Sequence, residues 1–284
     1  MIERARTYLS FVRFSHSIFA LPFALAGALL AAERSPITWA MVSWILVAMA
    51  SARSAAMGFN RLVDARFDRL NPRTANREIP RGAMTRFEAS LFVAISSAVF
   101  VFSAWRLNPL CFVLSPLALA IVFWYSLAKR YTTWTQLFLG LAMAVAPVGG
   151  WLAVGGREGI EPWLLGLAIG LWVGGFDVLY ACQDIDFDRS HGLRSIPARF
   201  GVPRALAMSR AMHILAVACL AALTLVTPLP RFYLAGVGAV ALLLVYEQSL
   251  VSANDLSQVK RAFDLNGYVG ILYLVVLAAA VYAR

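Results

Sequence analysis

The segment NRLVDARFD sets Asn60, Asp64 and Asp68 at intervals of four residues, and YACQDIDFD sets Tyr180, Asp184 and Asp188 at the same interval. Four residues make a little over one helical turn, so each trio forms a stripe of oxygen atoms along one helix face. Asp186 turns away from its stripe. Carboxylates that converge need a cation. Magnesium suits them, because it prefers oxygen, takes one or two carboxylates with waters, and completes its shell with phosphate oxygens. The competing explanation is that these aspartates pair with nearby arginines on a solvated surface. The recurrence of D-x3-D at an offset of 120 residues favours the metal over that explanation. Asp64, Asp68, Asp184 and Asp188 are therefore the expected metal ligands. Cations stand close to both stripes, and Arg73, Arg77, Lys129 and Arg194 follow helix ends at short range. They are expected to hold anionic oxygens that a metal leaves free.

Seven residues before each stripe stands a further charge, Arg53 ahead of Asn60 and Asp177 ahead of Asp184. A charge inside hydrocarbon costs roughly 2.5–3.5 kcal/mol on insertion scales, so each of these needs a partner or a water-filled cavity. The setting is hydrocarbon. Of 284 residues 61% are apolar and only 14% charged, against about half and a quarter in soluble domains. Apolar runs of membrane-spanning length recur at about 16–32, 38–59, 87–105, 109–128, 134–154, 162–182, 205–226, 232–252 and 265–283. An all-α bundle of nine transmembrane helices follows. Its first span is expected to be retained rather than cleaved as a leader.

With the amino terminus inside, 18 of the 25 lysines and arginines fall on the inner side and 5 on the outer, Arg53 and Arg61 lying within a span. Such a bias predicts a cytoplasmic amino terminus and places both aspartate motifs on the cytoplasmic side. The net charge of +10 then belongs to a basic rim facing anionic lipid, and nucleic acid is not an expected partner. Cys111, Cys182 and Cys219 fall one to a span without metal-ligand spacing, which predicts small buried side chains.

No linker divides the chain, so one domain over 1–284 is expected, with two weakly similar halves at about 1–130 and 131–284. Besides the aspartates, REIP at Arg77–Pro80 returns as RSIP at Arg194–Pro197, offset by 117 residues. Residues 2–13 read as a short interfacial helix. Pro22, Pro116 and Pro147 are expected to kink helices, with Gly149 and Gly150 allowing close packing. His213 reads as a packed side chain, Asn266 as an interhelical hydrogen-bonding group, and His16 as near the substrate side.

The segments NRLVDARFDRLNPRTANREIPRG, WYSLAKRYT and DVLYACQDIDFDRSHGLRSIPARFG, with FSHSIFALPFALAG near the start and DLNGYVGI near the end, resemble the UbiA superfamily of membrane prenyltransferases. Within it they resemble the 4-hydroxybenzoate polyprenyltransferase-like branch. The resemblance implies nine helices around a central cavity, with the aspartate motifs facing each other under a cytoplasmic cap. It implies magnesium, a polyprenyl diphosphate donor and an aromatic acceptor. By this resemblance Asn60, Asp64 and Asp68 match the first motif, Asp184 and Asp188 the second, while Arg77, Tyr125 and Lys129 match positions near the diphosphate.

Arg53 would take the acceptor's carboxylate, and Asp177 would orient or deprotonate its hydroxyl; the alternative is a direct Arg53–Asp177 ion pair. The acceptor is 4-hydroxybenzoate, for ubiquinone, or a dihydroxynaphthoate, for menaquinone, and Arg53 suits either acid. An ion-coupled transporter is the remaining class, disfavoured because the aspartates lie at span ends rather than at midmembrane. A prokaryotic inner membrane is the expected location.

Overall fold

Within a bilayer every backbone polar group must be satisfied internally, so apolar runs of this length fold as helices. The computed structural model describes residues 7–8, 10–11, 21–32 and 36–283. It contains α1 (Leu21–Ala31), α2 (Trp39–Leu70), α3 (Arg86–Leu107), α4 (Pro109–Tyr131), α5 (Thr135–Ala153) and α6 (Glu161–Ala181). Then come α7 (Ile185–Ser190), α8 (Ile196–Phe200), α9 (Val202–Ala222), α10 (Phe232–Ser249) and α11 (Val259–Tyr282). Among the described residues eight helical segments are long and apolar enough to cross a membrane, and α1 is a shorter apolar helix. The beginning of the expected first span, with His16, lies outside the described residues, as does most of the expected interfacial helix.

Polar side chains cap several of the helix starts. Thr38 accepts the Met41 N–H ahead of α2, and Thr85 with Glu88 forms a reciprocal capping box ahead of α3. Asn108 accepts the Cys111 N–H ahead of α4 and donates to the Leu152 carbonyl of α5 at 2.7 Å, joining two helices. Successive helices pack on one another from α2 to α6, α9 lies against α6, and α10 against α11. Contacts of α11 with α1, and of α1 with α5, close the bundle. At the α1–α5 crossing a side chain on Gly150 would run into the Ala24 carbonyl, and one on Gly27 into that of Pro147. Gly149 faces open space, so only one of the two expected packing glycines serves that purpose.

The core is centred on α6, whose Leu165, Ile169, Trp172 and Val173 are buried with Phe23, Tyr233 and Tyr273. Several polar groups within it are paired. Asn266 accepts from the Trp172 indole at 2.6 Å, and His213 meets the Trp172 carbonyl at 3.2 Å and Gln248 at 3.1 Å. Outward, Leu46, Phe102, Leu117, Ile214 and Val245 are exposed. So much apolar surface on every side suits lipid, not water.

Candidate active site

Helix α2 runs 32 residues, about 48 Å at the usual rise. It passes beyond the expected span end at residue 59 and carries the first stripe on its continuation. Asp64 and Asp68 are buried there, at 2% and 5% exposure. Asn60 donates to Asp64 Oδ2 at 3.2 Å. The same carboxylate receives Lys129 Nζ at 2.9 Å and Arg130 Nη2 at 3.2 Å, both from the end of α4. Asp68 is held by Arg77 Nη1 at 2.8 Å to each oxygen, across the connection between α2 and α3.

The second stripe departs from expectation. Tyr180 ends on α6, but a 3-10 turn spans Cys182–Asp184 and a separate short helix carries Asp188. The trio is therefore not one continuous helical stripe. Tightening the turn to three residues rotates Asp184 relative to Asp188. Asp186 is exposed, as its phase required.

Arg73 joins the two motifs. Its Nε donates to Asp184 Oδ1 at 3.1 Å and its Nη2 to Asp184 Oδ2, while Nη1 donates to the Tyr180 hydroxyl at 3.0 Å. Burial disfavours its charge, but the Asp184 carboxylate outweighs that loss and holds the guanidinium above its ordinary range. Asn71, the residue capping α2, donates to Asp184 Oδ1 at 3.3 Å and accepts the Arg73 N–H at 2.9 Å. Asp188 accepts from Ser195 at 2.9 Å. Lys129, bonded to Asp64, acts electrostatically on both Asp177 and Asp188. Asp64 and Asp184 thus belong to one polar head.

Arg194 does not join that head. Its guanidinium donates to the Tyr131 carbonyl at 2.6 Å, and its backbone N–H to the Lys129 carbonyl at 2.7 Å. It fastens the end of α4 to the stretch before α8 and, among the described residues, pairs with no carboxylate. The two R-x-I-P repeats therefore play different parts: Arg77 holds Asp68 in the first, and Ser195 rather than Arg194 holds Asp188 in the second. Asn71 and Ser195 escaped the sequence reading, and Arg130 was not assigned to the site. Arg130 was visible as half of a basic pair, but only packing shows that both cations reach Asp64.

Above the head lies an apolar cavity of about 860 Å³, walled mainly by α2, α4, α5 and α6. Arg53 and Tyr125 line it, each one to two turns from a head residue, and Arg157 and Trp163 line its far end. The Arg53 Nε is buried without a hydrogen-bond partner among the described residues. Among the described residues no ion pair joins Arg53 to Asp177, so the direct-pair alternative is not formed there.

Among the described residues no three acidic, histidine or cysteine side chains converge tightly enough to hold a metal unaided. Pairs of aspartates at i, i+4 present only oxygen, which fits a hard ion that takes one or two carboxylates and draws its other ligands from water and phosphate.

Helices that wall an apolar cavity next to a head of carboxylates and cations define an integral membrane protein with a site suited to an amphipathic, anionic molecule. Residues 20–279 match the model of the UbiA prenyltransferase family, and the chain belongs to that family. It is 31% identical over 289 residues to the 4-hydroxybenzoate octaprenyltransferase of Vibrio parahaemolyticus, covering 98% of each chain. It is 33% identical over 243 residues to the enzyme of the same name from Citrobacter koseri, covering 83% of this chain and 82% of that one. Its fold matches the apo structure of a UbiA homolog from Aeropyrum pernix K1 at a TM-score of 0.84 and 40% identity, over 95% of this chain and 98% of that one. It also matches, at 0.72 and 20% identity, a UbiA homolog from Archaeoglobus fulgidus bound to DMAPP and Mg2+, over 98% and 100% of the chains.

Proposed function

We propose that this chain transfers a polyprenyl group from a polyprenyl diphosphate to 4-hydroxybenzoate in ubiquinone biosynthesis, releasing diphosphate. The observation that carries this reading is Arg53, its buried Nε without a partner among the described residues, in the wall of an apolar cavity two turns along α2 from the first aspartate motif. The names of the relatives support 4-hydroxybenzoate over the dihydroxynaphthoate alternative. Membership in a prenyltransferase family speaks against the transporter.

Asp64 and Asp68 from one motif, with Asp184 and Asp188 from the other, would hold magnesium, which would offset charge gathering on the departing diphosphate. Arg73, Arg77 and Lys129 already face those carboxylates. Their remaining N–H groups bind phosphate oxygens, a preorganised electrostatic contribution of the kind that usually dominates catalysis. Asn60 steadies Asp64, and Tyr180 steadies Arg73. When the carbon–oxygen bond to diphosphate breaks, an allylic cation is left, and the aromatic ring attacks it at the carbon ortho to its hydroxyl. The ring then loses its proton.

Arg53 pairs with the acceptor's carboxylate and fixes the ring, with Tyr125 beside it on the cavity wall. Asp177 orients or deprotonates the hydroxyl. Leu, Val, Ala and Met side chains exclude the water that would otherwise capture the cation. The prenyl tail lies along the cavity. We place the head on the cytoplasmic side of a prokaryotic inner membrane, in a nine-helix bundle whose first helix includes α1, with the connections after α2 and α6 capping the site.

Purified enzyme should form prenylated 4-hydroxybenzoate from a polyprenyl diphosphate, detected by mass, only with magnesium present. EDTA should abolish the product and added magnesium restore it. Product from dihydroxynaphthoate alone would overturn the choice of acceptor, and undiminished turnover in EDTA would overturn the metal.

A further inference from the structure

Arg61 stands between Asn60 and Asp64 in α2 but points away from their stripe. Its Nη1 donates to Glu78 Oε2 at 2.7 Å, and both side chains are only 5% exposed. The other Glu78 oxygen accepts the Ser10 hydroxyl at 2.6 Å. The Arg61 guanidinium also lies 6.0 Å from the centroid of the Phe11 ring. Phe11 is fully buried with Ala65, Ile79, Met84 and Ala89, so apolar packing seals the pair from water. Three parts of the chain meet at one carboxylate: the helix bearing the first motif, the connection after it, and the segment that includes Ser10 and Phe11.

Glu78 is the neighbour of Arg77, and their side chains go opposite ways, Arg77 to Asp68 and Glu78 to Arg61. Turns on either side hold the connection in register, with the Arg77 N–H on the Thr74 carbonyl at 3.0 Å and the Met84 N–H on the Glu78 carbonyl at 3.2 Å. Arg73 lies in the same connection, one turn earlier. A buried ion pair does little for net stability, yet breaking it strands a charge, so its principal effect is to fix one arrangement over others.

We infer that Glu78, clamped by Arg61 and Ser10, is a positioning residue that sets Arg73 and Arg77 against the diphosphate without touching it. The inference rests on the proposed role of those arginines. In the second repeat Ser195 occupies the place of Glu78 and binds Asp188 directly, so the clamp belongs to the first motif alone.

Steady-state kinetics of the full chain in detergent, with geranyl diphosphate and 4-hydroxybenzoate, test this. Glu78→Gln should raise KM for geranyl diphosphate about tenfold and leave KM for the acid within about twofold. Exchanging the charges, Arg61→Glu with Glu78→Arg, should recover much of the loss. A merely structural pair would lower the melting temperature and leave the diphosphate KM unchanged, which would overturn the inference, as would an equal rise in both KM values. Should Glu78 variants not fold, Ser10→Ala removes one hydrogen bond and should raise the same KM about two- to threefold; no rise would overturn the inference. Arg77→Ala separates the two levels. An unchanged diphosphate KM there overturns the reading of the arginines themselves, whereas a rise there without one in the Glu78 variants overturns the clamp alone.

Discussion

A guanidinium whose Nε finds no partner inside a membrane bundle is costly unless an anion arrives to meet it. That makes Arg53 the most exacting test among single residues. Arg53→Ala should raise KM for the aromatic acid by about tenfold or more while the diphosphate KM moves little, because one charge-assisted contact is lost from one substrate only. Equal rises for both substrates would assign Arg53 to the fold instead. Asp64 poses the opposite case, since it carries Asn60, Lys129 and Arg130 at once. Asp64→Asn should cost about a hundredfold or more in kcat/KM, as it removes a proposed metal ligand and leaves two half-buried cations without their carboxylate. Residual activity within about tenfold of wild type would take Asp64 out of the metal site.

At the level of helices, α2 does most of the positioning, because one uninterrupted rod carries Arg53 on the cavity wall and Asp68 at the polar head. Its counterpart α6 ends early, and the 3-10 turn re-aims Asp184 toward Arg73. Helix crossings make a separate prediction. Gly150→Ala would force a methyl into the Ala24 backbone, whereas Gly149→Ala meets nothing within 4 Å. Overpacking of that kind costs about 1–3 kcal/mol. Thermal melting in detergent should therefore fall for Gly150→Ala and hold for Gly149→Ala; equal melting of the two would mean that α1 and α5 do not cross where described.

Across the whole molecule, the proposed reading assigns the apolar cavity to the prenyl tail. A cavity lined almost wholly by apolar side chains would select by volume rather than by hydrogen bonds, so its walls should govern which prenyl lengths react. Ala142 lies on the α5 wall. Ala142→Trp should depress kcat/KM for long-chain diphosphates about tenfold or more and spare geranyl diphosphate, read from product masses with mixed donors. An unchanged length preference would mean that the tail leaves the bundle by another route.

The sequence by itself determined the all-helical character, the membrane setting and the place of both aspartate motifs, because hydropathy over a span is a local property; for the first motif helix geometry also converts the i, i+4 repeat directly into a face, whereas the 3-10 turn breaks that face in the second. It also singled out Arg53 as a charge in need of an anion. Tertiary structure decided the partners: Arg73 on Asp184, Arg130 beside Lys129 on Asp64, Glu78 on Arg61, and Arg194 on a backbone carbonyl instead of the head. Those pairings join residues up to 111 positions apart. They depend on how connections fold back over helix ends, where side-chain reach and packing choose among several nearby cations that look equivalent in sequence.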